Sequence, residues 1–264
     1  MHSIVIVREI WDTRDLDRKH LDVGGRLRTD GLATRFEPED LNALELALQV
    51  KDKHGGKVTV LSIGAARSVD VLKECLYRGV DDVARLESGL PGELDTQVEG
   101  ELCAAAVRKV GAFDLLFTGV SASDGRGSLL GAHVAEKLGV ELISWMDGLG
   151  ELTATHVVGR RAIEMGYEHL EVKLPAALLV GVALLKDDPR SPRTAKAALK
   201  LKHKKTEVAV WTAASLGLAD LASRAATAVV GSELIAERVI ESRSVDPADE
   251  AAMRAMITAI QKGN

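Results

Sequence analysis

Two rhythms of apolar residues alternate along the first two-thirds of this chain. IVIV at 4–7 is an unbroken β-branched run, the pattern of a strand buried on both faces. In PEDLNALELALQVKDKHGG, from residue 38, Leu41, Leu44, Ala47 and Leu48 recur at helical spacing. Pro38 and two acids open that segment, and a basic turn with two glycines closes it. KVTVLSIG at 57–64 predicts a second strand, and ARSVDVLKECLYRG the helix that follows. DVARLES predicts a shorter strand, residues 93–110 a helix with Leu102, Ala105 and Ala106 on one side, and DLLFTG at 114–119 a further strand. Residues 20–32, HLDVGGRLRTDGL, carry the turn signals GG and DG and predict a small hairpin insert.

Strand–helix–strand units repeating at roughly 30 residues imply right-handed crossovers and a doubly wound, mostly parallel α/β sheet. Ligands in such sheets sit beyond the carboxyl ends of the strands. Three turns qualify by position: Arg8–Thr13, Ser62–Ala66 and Gly119–Ser128. After residue 150 the pattern changes. THVVGRRAIEMGYEHLEVKLP predicts two strands around EMG, and AALLVGVALL a buried strand closed by the polar loop KDDPRSPR. From about residue 213 a mixed tail leads to a last helix opened by DPADE, with Met253, Met256, Ile257 and Ile260 on one face. The expected division is 1–212, an α/β domain with a hairpin insert, and 213–264, a C-terminal extension.

Composition narrows the class. With 264 residues, 46% apolar and only 3% aromatic, the core is built mainly from Ala, Val and Leu. A net charge of −5 excludes the strong basic bias of a nucleic-acid or membrane-surface binder. Cys75 and Cys103 are the only cysteines and form no CxxC, which predicts a reducing compartment and no structural zinc. No apolar run reaches membrane-spanning length, and MHSIVIVRE reads as a core strand rather than a leader, so the expectation is a cytoplasmic protein without membrane insertion.

Catalytic constellations are poor: the seven histidines form no HxH or HExxH, and no GxSxG elbow occurs. The richest stretch is GVSASDGRGSLLGAHVAEKLGV, 119–140, a turn between a strand and a helix. Gly119, Gly125 and Gly127 permit close backbone approach, Ser128 offers a hydroxyl, Arg126 a phosphate partner, and Asp124 a ribose contact or a helix cap. Two readings stand on spacing alone, a phosphate grip and a tight corner with an N-cap. It is neither a GxGxxG nor a Walker A motif. KLKHKK, 200–205, reads either as a solvated face or as a docking patch for an acidic partner.

Taken together, IVIVREIWDT, PEDLNALELALQVKDKHGGKVTVLSIG, the glycine turn before GAHVAEKLGV, and RRAIEMGYEHLEVKLPA resemble the beta subunit of the electron transfer flavoproteins, in order and spacing over roughly 200 residues. The resemblance implies a flavodoxin-like, adenine-nucleotide-binding fold paired with an alpha subunit that holds the electron-carrying FAD. The beta subunit then holds AMP or a second FAD, and members with two FADs split electron pairs in flavin-based bifurcation. It implies nucleotide contacts at Ile6, Arg8, Glu37, Ile63, Gly119 and the run Asp124, Gly125, Arg126, Gly127, Ser128, Leu129 and Leu130. It sets Thr13 and Arg161 near the partner's flavin and a dehydrogenase or other redox protein at the 187–196 loop. Glu37 and Leu129 stand where the family usually has Asn and Gln, Arg126 replaces an acid, and SPRTAKAA at 191–198 lacks the usual anchoring leucine. Gly125 in place of a second acid, together with Arg126, favours a diphosphate and therefore a second FAD. Partner-covered surface is expected around Trp145, Trp211 and the tail. A stand-alone nucleotide-binding regulator of the universal-stress type is the alternative. An ATP-pyrophosphatase would need a serine-glycine-glycine loop after the first strand, which IVIVREIWDT lacks.

Overall fold

The computed structural model describes residues 1–261 apart from 91–93, 123–128, 184, 186, 228–229, 232 and 234–243. In chain order its elements are β1 (His2–Ile6), β2 (Glu9–Trp11), β3 (Thr34–Phe36), α1 (Pro38–His54), β4 (Lys57–Ile63), α2 (Val69–Arg78) and β5 (Asp82–Glu87). There follow α3 (Thr96–Val110), β6 (Leu115–Gly119), α4 (Leu130–Leu138), β7 (Glu141–Leu152), β8 (His156–Ile163) and β9 (Gly166–Lys173). The last are β10 (Ala176–Val180), α5 (Ala197–His203), β11 (Ala209–Thr212) and α6 (Glu250–Gln261).

Nine strands make one sheet in the order β11-β5-β4-β1-β6-β10-β7-β8-β9. Every neighbouring pair from β11 to β7 is parallel, and β7-β8-β9 is antiparallel. The expected doubly wound α/β sheet is therefore present. β1 explains its two cores: Val5 and Val7 enter one with α1 and α2, while Ile4 and Ile6 enter the other with α3 and α4. Strand order reverses between β1 and β6, which creates the crevice where such sheets bind ligands. Helix α4 lies close on the sheet because Gly131 has no side chain. A Cβ there would stand 2.4 Å from Thr118 Cγ2 and 2.8 Å from Leu179 Cγ.

Three expectations need correction. Residues 20–32 form no hairpin of two strands. Their pairing is one antiparallel bridge, Leu21 to Leu27, and Asp22 gathers the N–H groups of Gly24 and Arg26 at 2.8 and 2.9 Å. The hairpin partners are the stems, β2 and β3, paired from Glu9–Phe36 to Trp11–Thr34. The apolar run from Ala176 leaves the sheet after Val180, because Arg190 Nη1 bonds Gly181 O (2.9 Å) and Asn42 Oδ1 accepts Ala183 N–H (2.9 Å). β7 is a strand the apolar pattern did not announce. Its first half pairs β10 and its second half β8, with register shifts around Trp145 (φ 55°) and Gly148, so burial along it is aperiodic. Trp145 lies in β7 and Trp211 in β11.

Candidate functional site

A cavity of about 650 Å³ opens at the carboxyl ends of β1, β4 and β5, within the size range of small-ligand sites (about 300–1,000 Å³). Its rigid wall is assembled around Asp40, in the first turn of α1 and fully buried. Asp40 Oδ2 accepts the Arg8 backbone N–H at 2.8 Å and Nε–H at 2.9 Å. Oδ1 accepts Arg8 Nη2–H at 2.9 Å and the Gly119 N–H at 2.8 Å. One carboxylate thus ties the ends of β1 and β6 to a helix start, where the helix dipole also favours negative charge. Arg8 Nη2 reaches on to Ser121 O at 2.6 Å, and Glu39 Oε2 accepts the Ser121 N–H at 2.5 Å. Burial by itself lowers the Arg8 pKa, but the charge and hydrogen bonds of Asp40 outweigh it and leave the pKa raised, so the guanidinium stays charged. Gly119 is required here. A Cβ would meet Asp40 Oδ1 and Glu39 Cβ, both at 2.7 Å.

A second polar group forms the opposite wall. Glu9, 8% exposed, accepts the Thr34 hydroxyl at 2.5 Å and the Ser68 hydroxyl at 2.9 Å, and pairs with Arg67 Nε at 3.3 Å. The Arg67 guanidinium lies 4.2 Å from the centroid of the Trp11 ring, a cation–π stack that holds both side chains at the cavity edge. Ile63, Leu86, Leu90, Leu94 and Leu130 supply apolar surface, and Glu87 and Glu99 carboxylates. Arg85 pairs with Glu87 at 3.2 Å and donates to Gly64 O at 2.9 Å.

Of the residues singled out in the sequence, Arg8, Ile63 and Leu130 line this cavity together. Ile6 is fully buried in the α3–α4 core one turn of chain earlier, and Gly119 ends β6 behind Asp40. Glu37, 2% exposed, precedes α1, its N–H bonded to Arg8 O at 3.0 Å. Leu129 precedes α4 and is 56% exposed. Asp124, Gly125, Arg126, Gly127 and Ser128 lie outside the described residues. Thr13, half-buried, follows β2 of the two-stranded sheet, whereas Arg161 sits on β8 of the nine-stranded sheet with its guanidinium on Glu168 at 2.6 Å.

Sequence reasoning passed over Glu9, Trp11, Asp40 and Arg67. The signal for Asp40 was a second acid in a helix's first turn directly beneath an Arg at a strand end. Cys75 and Cys103 are fully buried, and burial pushes both thiols up, so neither is a nucleophile here. Among the described residues no His, Cys, Asp and Glu group could hold a metal ion, and no helix is long and apolar enough to cross a membrane.

The 187–196 loop is held by α1. Asn42 Nδ2–H donates to Arg190 O (2.9 Å), Gln49 Nε2–H to Pro189 O (2.6 Å), and Glu45 binds Arg193 through Nε (2.9 Å) and Nη2 (3.0 Å). Arg190 is braced in turn by Asp188 at 2.7 Å. On the β8–β9 side, Trp145, Met165 and Tyr167 are exposed large side chains.

A family profile described as "Electron transfer flavoprotein domain" matches residues 25–216. The chain is 34% identical over 179 residues to the electron transfer flavoprotein subunit beta of Clostridium acetobutylicum, covering 67% of each chain. To the protein of that name from Thermoanaerobacterium thermosaccharolyticum it is 32% identical over 82% of this chain and 80% of the relative. It is 30% identical to Protein FixA of Azorhizobium caulinodans over 90% of this chain and 84% of the relative.

Proposed function

The chain belongs to the electron transfer flavoprotein family as an electron-transferring beta subunit, and from that premise we propose that its carboxyl-end cavity holds an adenine nucleotide, FAD in preference to AMP. The observation that carries this is the cavity itself. Apolar side chains from β4, β5 and α4 suit a base, Glu87 and Glu99 suit ribose hydroxyls, and Arg67 on Trp11 offers a cation at the rim. The described residues fit the adenosine half of such a nucleotide. Its phosphates would fall to the 123–128 turn, where Gly125 removes a carboxylate and Arg126 adds a cation. At about 4 Å and an effective dielectric near 20, one fewer like charge is worth roughly 4 kcal/mol, enough to separate one phosphate from two.

In this reading a bound FAD supplies one- and two-electron chemistry, and the chain supplies position. Asp40 fixes Arg8 and the ends of β1 and β6, so the base pocket keeps its shape with the cavity filled or empty. The alpha subunit would hold the other flavin against Thr13 and Arg161. A dehydrogenase or other redox protein would dock at the 187–196 loop that α1 braces, and residues 213–264 would form the arm on the alpha subunit. With two flavins the heterodimer would be built for bifurcation; with AMP here it would be a single-flavin shuttle. Membership of the family sets aside the stand-alone regulator.

The test is to release and count the nucleotides of the purified heterodimer after denaturation. Two flavins and no AMP per heterodimer support the reading. One flavin with one AMP replaces FAD by AMP, and one flavin with no nucleotide refutes the assignment of this cavity.

A further inference from the structure

At the other edge of the sheet, beyond the amino ends of the strands, lies a second cavity of about 380 Å³. It is enclosed by the C-terminal turns of α1 and α2, the Gly79–Asp81 turn, and one side of α5. Its size is that of a small-molecule site, and it is remote from the nucleotide cavity, because α1 runs from one to the other.

The lining is rich in cations, and the carboxylates at hand do not use them all. Lys51 is spent on Asp81 at 2.6 Å. Arg193 is shared between Glu45 and Asp52 at 2.9 and 2.8 Å. Arg78 pairs with Glu74 at 3.1 Å and donates to Arg193 O, while its Nε is buried without an acceptor. Lys196 and Lys202 remain, and neither has a carboxylate partner among the described residues. His203 stands beside them, so the lining holds more donors than acceptors.

We propose that this cavity is a second anion site, which takes the phosphoryl group of a small phosphorylated metabolite. Lys196 and Lys202 supply the opposing charge from one wall. Lys51 and Arg193, neutralised by Asp81, Glu45 and Asp52, brace the other walls, so the net positive charge of the cavity comes from the two unpaired lysines. A concave site with its free cations on the wall admits a compact oxyanion. Lys196 and Lys202, although solvent-exposed, belong to the cavity lining, whereas the equally exposed Lys204 and Lys205 lie outside it and are the ones placed to meet an acidic protein. The proposal does not depend on which nucleotide fills the carboxyl-end cavity.

Inorganic pyrophosphate, titrated calorimetrically into the protein as purified with its partner chain, is the probe. The parent should bind one pyrophosphate per beta chain. Lys196→Ala with Lys202→Ala should weaken binding about tenfold or more, since two charge-assisted bonds are lost. Lys204→Ala with Lys205→Ala makes the same change in net charge off the cavity and should leave the affinity unchanged. Absence of saturable binding overturns the proposal. So does equal loss in both pairs, the mark of diffuse surface charge, or no loss in the first pair, the mark of binding elsewhere. A poly-glutamate peptide that binds where pyrophosphate does not would assign the surface to a protein partner and overturn it too.

Discussion

Replacing Asp40 by Asn preserves shape and removes the charge from the carboxylate around which the wall of the carboxyl-end cavity is built. Four hydrogen bonds end on it: three from Arg8, counting the backbone N–H, and one from the Gly119 N–H. Arg8 is 8% exposed, so its guanidinium would keep its charge while losing its hydrogen-bonded counter-charge, with Glu37 and Glu99 as the remaining negative groups acting on it. Breaking one side of a buried pair costs about 3–5 kcal/mol. The amide must also turn its NH2 toward one pair of donors, which orphans at least one buried group at about 1–3 kcal/mol. Equilibrium urea unfolding of the purified complex, followed by circular dichroism at fixed protein concentration, should therefore show Asp40→Asn at least about 3 kcal/mol below the parent. Arg8→Met combined with Asp40→Asn removes the stranded charge, and the double variant should recover a large part of the loss. Full recovery is not expected, because the Arg8 and Gly119 backbone N–H groups still face the amide. A single variant within about 0.5 kcal/mol of the parent, or singles that add within that margin in the double, would refute the reasoning.

Gly131→Ala should destabilise by about 1–3 kcal/mol despite alanine's better helix propensity, because its Cβ enters buried Thr118 and Leu179; thermal melting checks this, and an unchanged melting temperature would contradict the packing. Asp188 is held below the usual carboxylate range chiefly by its hydrogen bonds to Arg190, against the opposing effect of burial. A depressed folded-state pKa contributes stability above the unfolded value and loses it as pH falls through the folded one. The melting-temperature gap between the parent and Asp188→Asn should therefore be constant from neutral pH down to about pH 5 and close below about pH 4. A gap that instead closes toward alkaline pH would show that another group is responsible.

Where one local signal decides the structure, the sequence was enough. Pro38, two acids and the Gly55–Gly56 pair bracket α1, and the helix runs from Pro38 to His54. The run Ile4–Val7, which begins in β1, and all of β10 are unbroken in apolar residues because both faces of those strands are covered. β7 was hidden because it changes partner half-way, so no single alternation describes its buried positions. The end of β10 was set by residues outside the run, Asn42 more than 100 positions earlier and Arg190 in the loop that follows, and a run of apolar letters holds no trace of them. The site followed the same division. Arg8 stood out because it ends a strand. Asp40 looked like an ordinary helix-dipole partner, and only the fold shows that β1 and β6 converge on it. Glu9, Trp11 and Arg67 meet through side-chain contacts between strand β2 and the turn before α2, which spacing along one chain cannot reveal.

Helix α1 has a consequence for how the molecule opens. Its first turn grips β1 and β6 through Glu39 and Asp40, and its middle grips the 187–196 loop through Asn42, Glu45 and Gln49. Amide hydrogens in these three regions are consequently tied to one cooperative unit of native-state exchange, although more than 100 residues of sequence separate the loop from the helix. Any protection that a ligand in the carboxyl-end cavity lends to the strand ends would then be shared with a surface loop that does not line that cavity. Exchange at Arg190 and Arg193 becomes a remote gauge of whether that cavity is occupied.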